Sequence, residues 1–134
     1  MKIALAQLNP IVGDIAGNTA RIGEYIGQAA EKGADLVVFA ELSILGYPPR
    51  DLLRKERFVA DSVAAVESLA KKCKGIAALV GFVRPSDDAS GRPLQNAAAL
   101  LADGQLQHVH VKTLLPTYDD FDEKIGRASC RERV

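Results

Sequence analysis

Three features of the sequence predict an α/β fold. Short apolar runs of strand length alternate with longer segments in which apolar residues recur every three or four positions. A helical segment gives way to an apolar run across Gly33, the pattern of helices layered on a sheet. Two further runs flank Asp103-Gly104, a dipeptide that favours a tight antiparallel turn. A chain of 134 residues has room for one compact domain with a real core.

In chain order, Ile3, Leu5 and Leu8 with the alanines between them predict a short buried strand over Lys2–Leu8. Asn9-Pro10 and Gly13-Asp14 mark a loop. Asn18 is placed to cap a helix over Thr19–Lys32, with Ile22, Ile26 and Ala29/Ala30 on its apolar face. Gly33 stops that helix, and Asp35–Phe39 forms the second strand. Ser43–Asp51 is a loop rich in Gly, Tyr and Pro. A second helix over Glu56–Lys72 sets Val59, Val63, Val66, Ala70 and Cys73 on one stripe, and Gly75 ends it. Ile76–Val83 is a third strand. After a polar turn at Ser86–Pro93, Gln95–Leu101 and Leu106–Val111 form the antiparallel pair. The order is β-α-β-α-β-β-β.

Composition excludes several classes. Seventeen basic against 17 acidic residues give no surplus to attract nucleic acid or an anionic membrane. The longest apolar runs, about five to seven residues, are too short to span a bilayer. Met1-Lys2 leads straight into a strand-like run, without the apolar core and cleavage site of a signal peptide. Two cysteines make no disulfide framework, which predicts a reducing, cytoplasmic setting.

Residues 125–134, IGRASCRERV, break the pattern: they have no usable period and carry three arginines. Together with Lys124 they resemble the translation of a sequencing-adapter oligonucleotide whose next in-frame codon is a stop. The expectation is a non-native tail on a truncated reading frame. Removing it leaves a slight acidic excess and Cys73 as the one remaining cysteine.

Four groups are chemically notable. Glu41 follows an apolar strand at the start of a Gly/Pro loop, where α/β folds present polar groups to substrate; it reads as a base or as a solvated loop carboxylate. Lys112 ends the run HVHVK, as an oxyanion-stabilising cation or an exposed strand end. His108 and His110 share one strand face, without an acidic or Cys partner at metal-ligand spacing, so no metal site is predicted. Cys73, on an apolar helix stripe, reads as a core residue. No GxGxxG, P-loop or GxSxG motif occurs.

Taken together, KIALAQLNPIVGDIAGN, GADLVVFAELSILGYPPRDLL, VGF, LQNAAALLADGQL and HVHVKTLLPTYDDFDE resemble, in order over residues 1–124, the nitrilase or carbon–nitrogen hydrolase superfamily. Within it the resemblance is to the glutaminase domains of glutamine-dependent NAD(+) synthetases, on ILGYPPRDLL and above all KTLLPTYDDFDE. Asp120 stands where the family usually has an apolar residue. The resemblance implies the first, incomplete half of a four-layer α-β-β-α sandwich. It implies a Glu-Lys-Cys triad, with Glu41 as general base and Lys112 stabilising the oxyanion. Tyr47 and Glu123 would shape the glutamine pocket.

The family's nucleophilic Cys follows the Lys by several tens of residues, so neither Cys73 nor Cys130 takes that position. The expectation is therefore an inactive fragment. Its parent would hydrolyse glutamine to supply ammonia for ATP-dependent NAD(+) synthesis from deamido-NAD(+). ATP and Mg2+ are expected in a further synthetase domain rather than here, and the whole protein is expected to be a homo-oligomer. A stand-alone amidase of the same superfamily is the first alternative. A short non-catalytic binding protein is the second.

Overall fold

The computed structural model describes residues 1–87, 91 and 93–113. Five strands form one sheet in sequential order: β1 (Ile3–Leu5), β2 (Leu36–Val38), β3 (Ala77–Pro85), β4 (Leu94–Ala102) and β5 (Gln105–Val111). The first three are parallel, joined by helices α1 (Ile15–Glu31) and α2 (Glu56–Ala70). β3, β4 and β5 are antiparallel, and Asp103-Gly104 turns β4 into β5. The predicted element order is the observed one. A 3-10 turn at Arg50–Arg54 lies between β2 and α2, at the end of the stretch expected to be loop.

Both helices cover the same face of the sheet and touch each other. Ile22, Ile26 and Ala29 of α1 and Val59, Val66 and Leu69 of α2 meet Val37, Ala78, Val80, Phe82, Ala99 and Leu101 in one core. Ala30 and Val63, also placed on the helix stripes, are exposed and half-buried respectively. The opposite face carries the alternate residues of each strand: Ile3 and Leu5, Leu36 and Val38, Leu79, Ala98 and Leu100, then His108 and His110. No described helix covers it.

That one-sided covering corrects the reading of the first strand. β1 is an edge strand, and Ile3 and Leu5 are 48% and 75% exposed because they point to the open face. Its apolar alternation signalled a face that needs a cover, and the helices supply one only on the other side.

The start of α1 is a second correction. The helix begins a turn earlier than expected, capped by Asp14, whose carboxylate accepts from the Gly17 amide at 3.0 Å. Asn18 is buried inside the first turn and works across the chain. Its Oδ1 accepts from the Ile11 amide at 2.9 Å, while Nδ2 donates to the carbonyls of Ile11 (2.8 Å) and Ile44 (3.0 Å). One side chain thus joins the loop after β1 to the loop after β2.

The β4–β5 pairing contains a bulge. Leu101 pairs with Leu106, but Leu100 pairs with His108, so Gln107 is an extra residue without a partner across the ladder. Its side-chain amide donates to the Ala102 carbonyl at 3.0 Å. Glu123, Asp120, Cys130 and the expected tail at 125–134 lie outside the described residues.

Candidate active site

β2 continues one step past its end, where the Phe39 amide donates to the Leu79 carbonyl at 2.9 Å. The chain then turns tightly. Leu42 takes a left-handed conformation (φ 53°), and its carbonyl accepts from the amides of Leu45 (3.1 Å) and Gly46 (2.9 Å). A leucine adopts that conformation only when its surroundings enforce it. Here Ile44 and Leu45 are fully buried, Asn18 holds the Ile44 carbonyl, and the Ile44 amide donates to Gly81 at 3.3 Å.

The turn crosses β3 at Gly81. A Cβ there would lie 2.4 Å from the Leu42 nitrogen and 2.8 Å from the Ala40 oxygen, so only glycine lets the two backbones approach this closely. The turn therefore presents Glu41 over the open face of the sheet.

Lys112 reaches the same point from the other side. It follows β5, and its amide donates to the Asn96 carbonyl at 2.9 Å, extending the ladder by one step. Lys112 Nζ then donates to Glu41 Oε1 at 2.7 Å. Asn96 Nδ2 donates to the same oxygen at 2.6 Å. Residues 71 and 55 positions from Glu41 thus converge on one carboxylate oxygen. The three line a cavity of about 250 Å³ with Phe39, Leu79, Ala98 and His110.

The electrostatics follow from these contacts. Partial burial by itself raises the Glu41 pKa. The hydrogen bonds from Lys112 and Asn96, with the Lys112 charge, outweigh it and hold the carboxyl below its ordinary value. Glu41 is ionised at neutral pH, and with side chains 51% and 32% exposed the Glu41–Lys112 pair stays open to solvent and solute. An ammonium has three donors, so Lys112 can serve Glu41 and a second oxygen together.

The other predicted residues fall elsewhere. Tyr47, 37% exposed in the loop beyond the turn, is not among the residues lining this cavity. Glu123 lies outside the described residues. Cys73 is fully buried in the core, its thiol donates to the Leu69 carbonyl at 3.5 Å, and burial raises its pKa. It is a packing residue. His108 and His110 are exposed, and among the described residues no three His, Cys, Asp or Glu side chains gather as metal ligands would. No described helix is long and apolar enough to cross a membrane.

Asn96 was missed from sequence. Its only signal is an amide at the start of the apolar run NAAALL, on the same strand face as Ala98 and opposite the residue that follows β5.

The profile of the carbon-nitrogen hydrolase family matches residues 2–132. The glutamine-dependent NAD(+) synthetase of Synechocystis sp. is 46% identical over 125 residues, covering 90% of this chain and 22% of that protein. The synthetase of Thermotoga maritima is 37% identical over 126 residues, covering 92% and 21%. The chain thus spans about a fifth of the length of these relatives. Among solved structures, glutamine-dependent NAD+ synthetase from Acinetobacter baumannii superposes with a TM-score of 0.83 at 36% identity, covering 98% of this chain and 24% of that one. An amidase from Nesterenkonia sp. shares the fold at a TM-score of 0.72 and 23% identity, over 90% of this chain and 45% of that chain. With a family profile spanning nearly all its length, this chain belongs to the carbon-nitrogen hydrolase family.

Proposed function

We propose that this chain supplies the general base and the oxyanion-stabilising cation of a glutamine amide hydrolase. Its ammonia would serve NAD(+) formation from deamido-NAD(+) in a longer protein. The observation that carries the reading is the convergence of Lys112 Nζ on Glu41 Oε1 at 2.7 Å beside an open cavity.

In this reading Glu41 takes the proton of an attacking thiol and Lys112 faces the oxyanion that forms on the amide carbonyl. Glu41 returns the proton to departing ammonia, then takes one from the water that hydrolyses the thioester. Thiol-to-carboxylate transfer runs uphill, and the oxyanion that Lys112 then stabilises draws the step forward. Tyr47 and Glu123 are assigned to the glutamine pocket.

The nucleophile is assigned to a Cys several tens of residues past Lys112, a place that neither Cys73, packed in the core, nor Cys130 takes. The 134 residues by themselves are then inactive. The second sheet of a four-layer sandwich would cover the open face, and a homo-oligomeric whole protein in the cytoplasm fits the same reading. ATP and Mg2+ are assigned to a further synthetase domain, as the family resemblance implies.

A chimera tests the proposal. Residues 1–124 replace the matching segment of a glutamine-dependent NAD(+) synthetase, and NAD(+) formation is followed with glutamine and, separately, with ammonia. Both should proceed. Glu41→Gln and Lys112→Met should abolish the glutamine-driven reaction and spare the ammonia-driven one. Glutamine-driven synthesis that survives Glu41→Gln would refute the assignment. Ammonia released from glutamine by the 134-residue chain itself, and lost in Cys73→Ala, would refute its inactivity.

A further inference from the structure

A carboxylate offers two oxygens to an incoming proton, and rotation about its last bond exchanges them. At Glu41 the two donors do not spread over both oxygens. Lys112 Nζ and Asn96 Nδ2 reach Oε1, and neither reaches Oε2. The donors come from neighbouring chain segments tied to each other, since the Lys112 amide donates to the Asn96 carbonyl. The sheet therefore holds their backbones side by side, with both side chains over the open face.

We propose that Asn96 is a positioning residue that engages Oε1 of Glu41 and so commits Oε2 to carrying the proton. The inference rests on the proposed roles of Glu41 and Lys112 and adds a division of labour between the carboxylate oxygens. Lys112 must share its donors and its charge between Glu41 and the oxyanion as it forms. Asn96 faces no such competing demand. Its amide does not ionise in the working pH range, so it donates to Oε1 whether Glu41 is charged or protonated.

With Oε1 engaged throughout, the carboxyl cannot flip between accepting and releasing the proton, and Oε2 receives it and returns it along one line. The titratable groups facing Glu41 among the described residues are Lys112 and, on the same face of β5, His110. Asn96 is thus the neutral member of the cluster.

The test is a pH titration by NMR of the 134-residue chain with labelled Glu and Asn side chains. In the unsubstituted chain the Asn96 amide proton bonded to Glu41 should shift with the Glu41 midpoint. It should stay displaced from the ordinary free-amide position below that midpoint, because Oε1 still accepts it. Return of that proton to its free-amide position as Glu41 protonates would mean that the proton goes to Oε1, and would overturn the proposal.

Asn96→Ala should move the Glu41 midpoint upward, and Asn96→Ser, which keeps a shorter donor, should return part of the shift. Lys112→Met should also move it upward. A midpoint that responds to Lys112→Met and not to Asn96→Ala would overturn the role of Asn96 and leave the Glu–Lys pair standing. A midpoint unmoved by Lys112→Met would instead overturn the pair on which the proposal rests. The Asn96 amide titration needs no substitution, so it decides the matter even where Asn96→Ala disturbs the strand.

Discussion

Replacing Gly81 with alanine would set a methyl carbon 2.4 Å from the Leu42 nitrogen, 2.8 Å from the Ala40 oxygen and 3.0 Å from the Glu41 carbonyl carbon. All three are backbone atoms, so no flexible side chain can swing aside. Ordinary contact requires the turn to rise by about 1 Å. Overpacking of this kind costs about 1–3 kcal/mol. The same displacement would stretch the Glu41 hydrogen bonds, now 2.6 and 2.7 Å, past useful length unless the side chain follows.

Urea denaturation should show the stability loss, and the Glu41 carboxyl should titrate closer to its ordinary value. Gly27→Ala in α1 is the matched control. Nothing lies within 4 Å of its Cβ position, so the substitution should stabilise the chain by about 0.5–1 kcal/mol. A Gly81→Ala chain of unchanged stability with an unmoved Glu41 titration would refute the claim that close backbone approach places Glu41.

Three further outcomes are expected. In Lys112→Met, stability at pH 7 should fall by no more than about 1 kcal/mol, because the pair is solvent-exposed. The Glu41 pKa is lowered by folding, so its contribution is present above the unfolded value of about 4.3 and lost as pH falls through the folded one. The acid limb of a stability–pH curve should therefore flatten in the variant, and an unchanged limb would contradict this. Asn18→Ala leaves the Ile11 and Ile44 groups without their partner and should cost about 2–3 kcal/mol in urea denaturation; a loss below about 0.5 kcal/mol would show that the two loops hold without it. The open sheet face should make the chain bind anilinonaphthalene sulfonate and aggregate readily. Leu5→Lys should reduce dye binding, and an unsubstituted chain that binds no dye and stays monomeric at high concentration would argue against an uncovered face.

The element order was legible because both periods were clear: the helix stripes at Ile22/Ile26 and Val59/Val66, and the alternation in β4 and β5. The Asp103-Gly104 turn was legible from two residues. Burial of β1 was not, because alternation states that a face is apolar and not which neighbour covers it. Asn18 misled because a polar residue at a helix start serves equally as a cap or as a cross-loop link, and the choice lies with Ile11 and Ile44. Glu41 and Lys112 were singled out by their places at strand ends and joined only by family resemblance. Nothing local in the chain says that residues 71 apart share a hydrogen bond. Asn96 gave less still, since a single amide in an apolar strand has no period to betray it.

The extra residue at Gln107 has a consequence for the whole site. Below the bulge, paired residue numbers in β4 and β5 add to 207; beyond it they add to 208. With an unbroken ladder Val111 would stand opposite Asn96, and Lys112 would point its ammonium toward the helices. The bulge changes the count from odd to even and brings Lys112 onto the side where Glu41 waits. The sign of charge above the sheet is thus decided by arithmetic some 5 residues earlier in the strand. Shortening the β4–β5 hairpin by one residue at this point would turn Lys112 away from Glu41 while leaving Glu41, Asn96 and the lysine in the sequence.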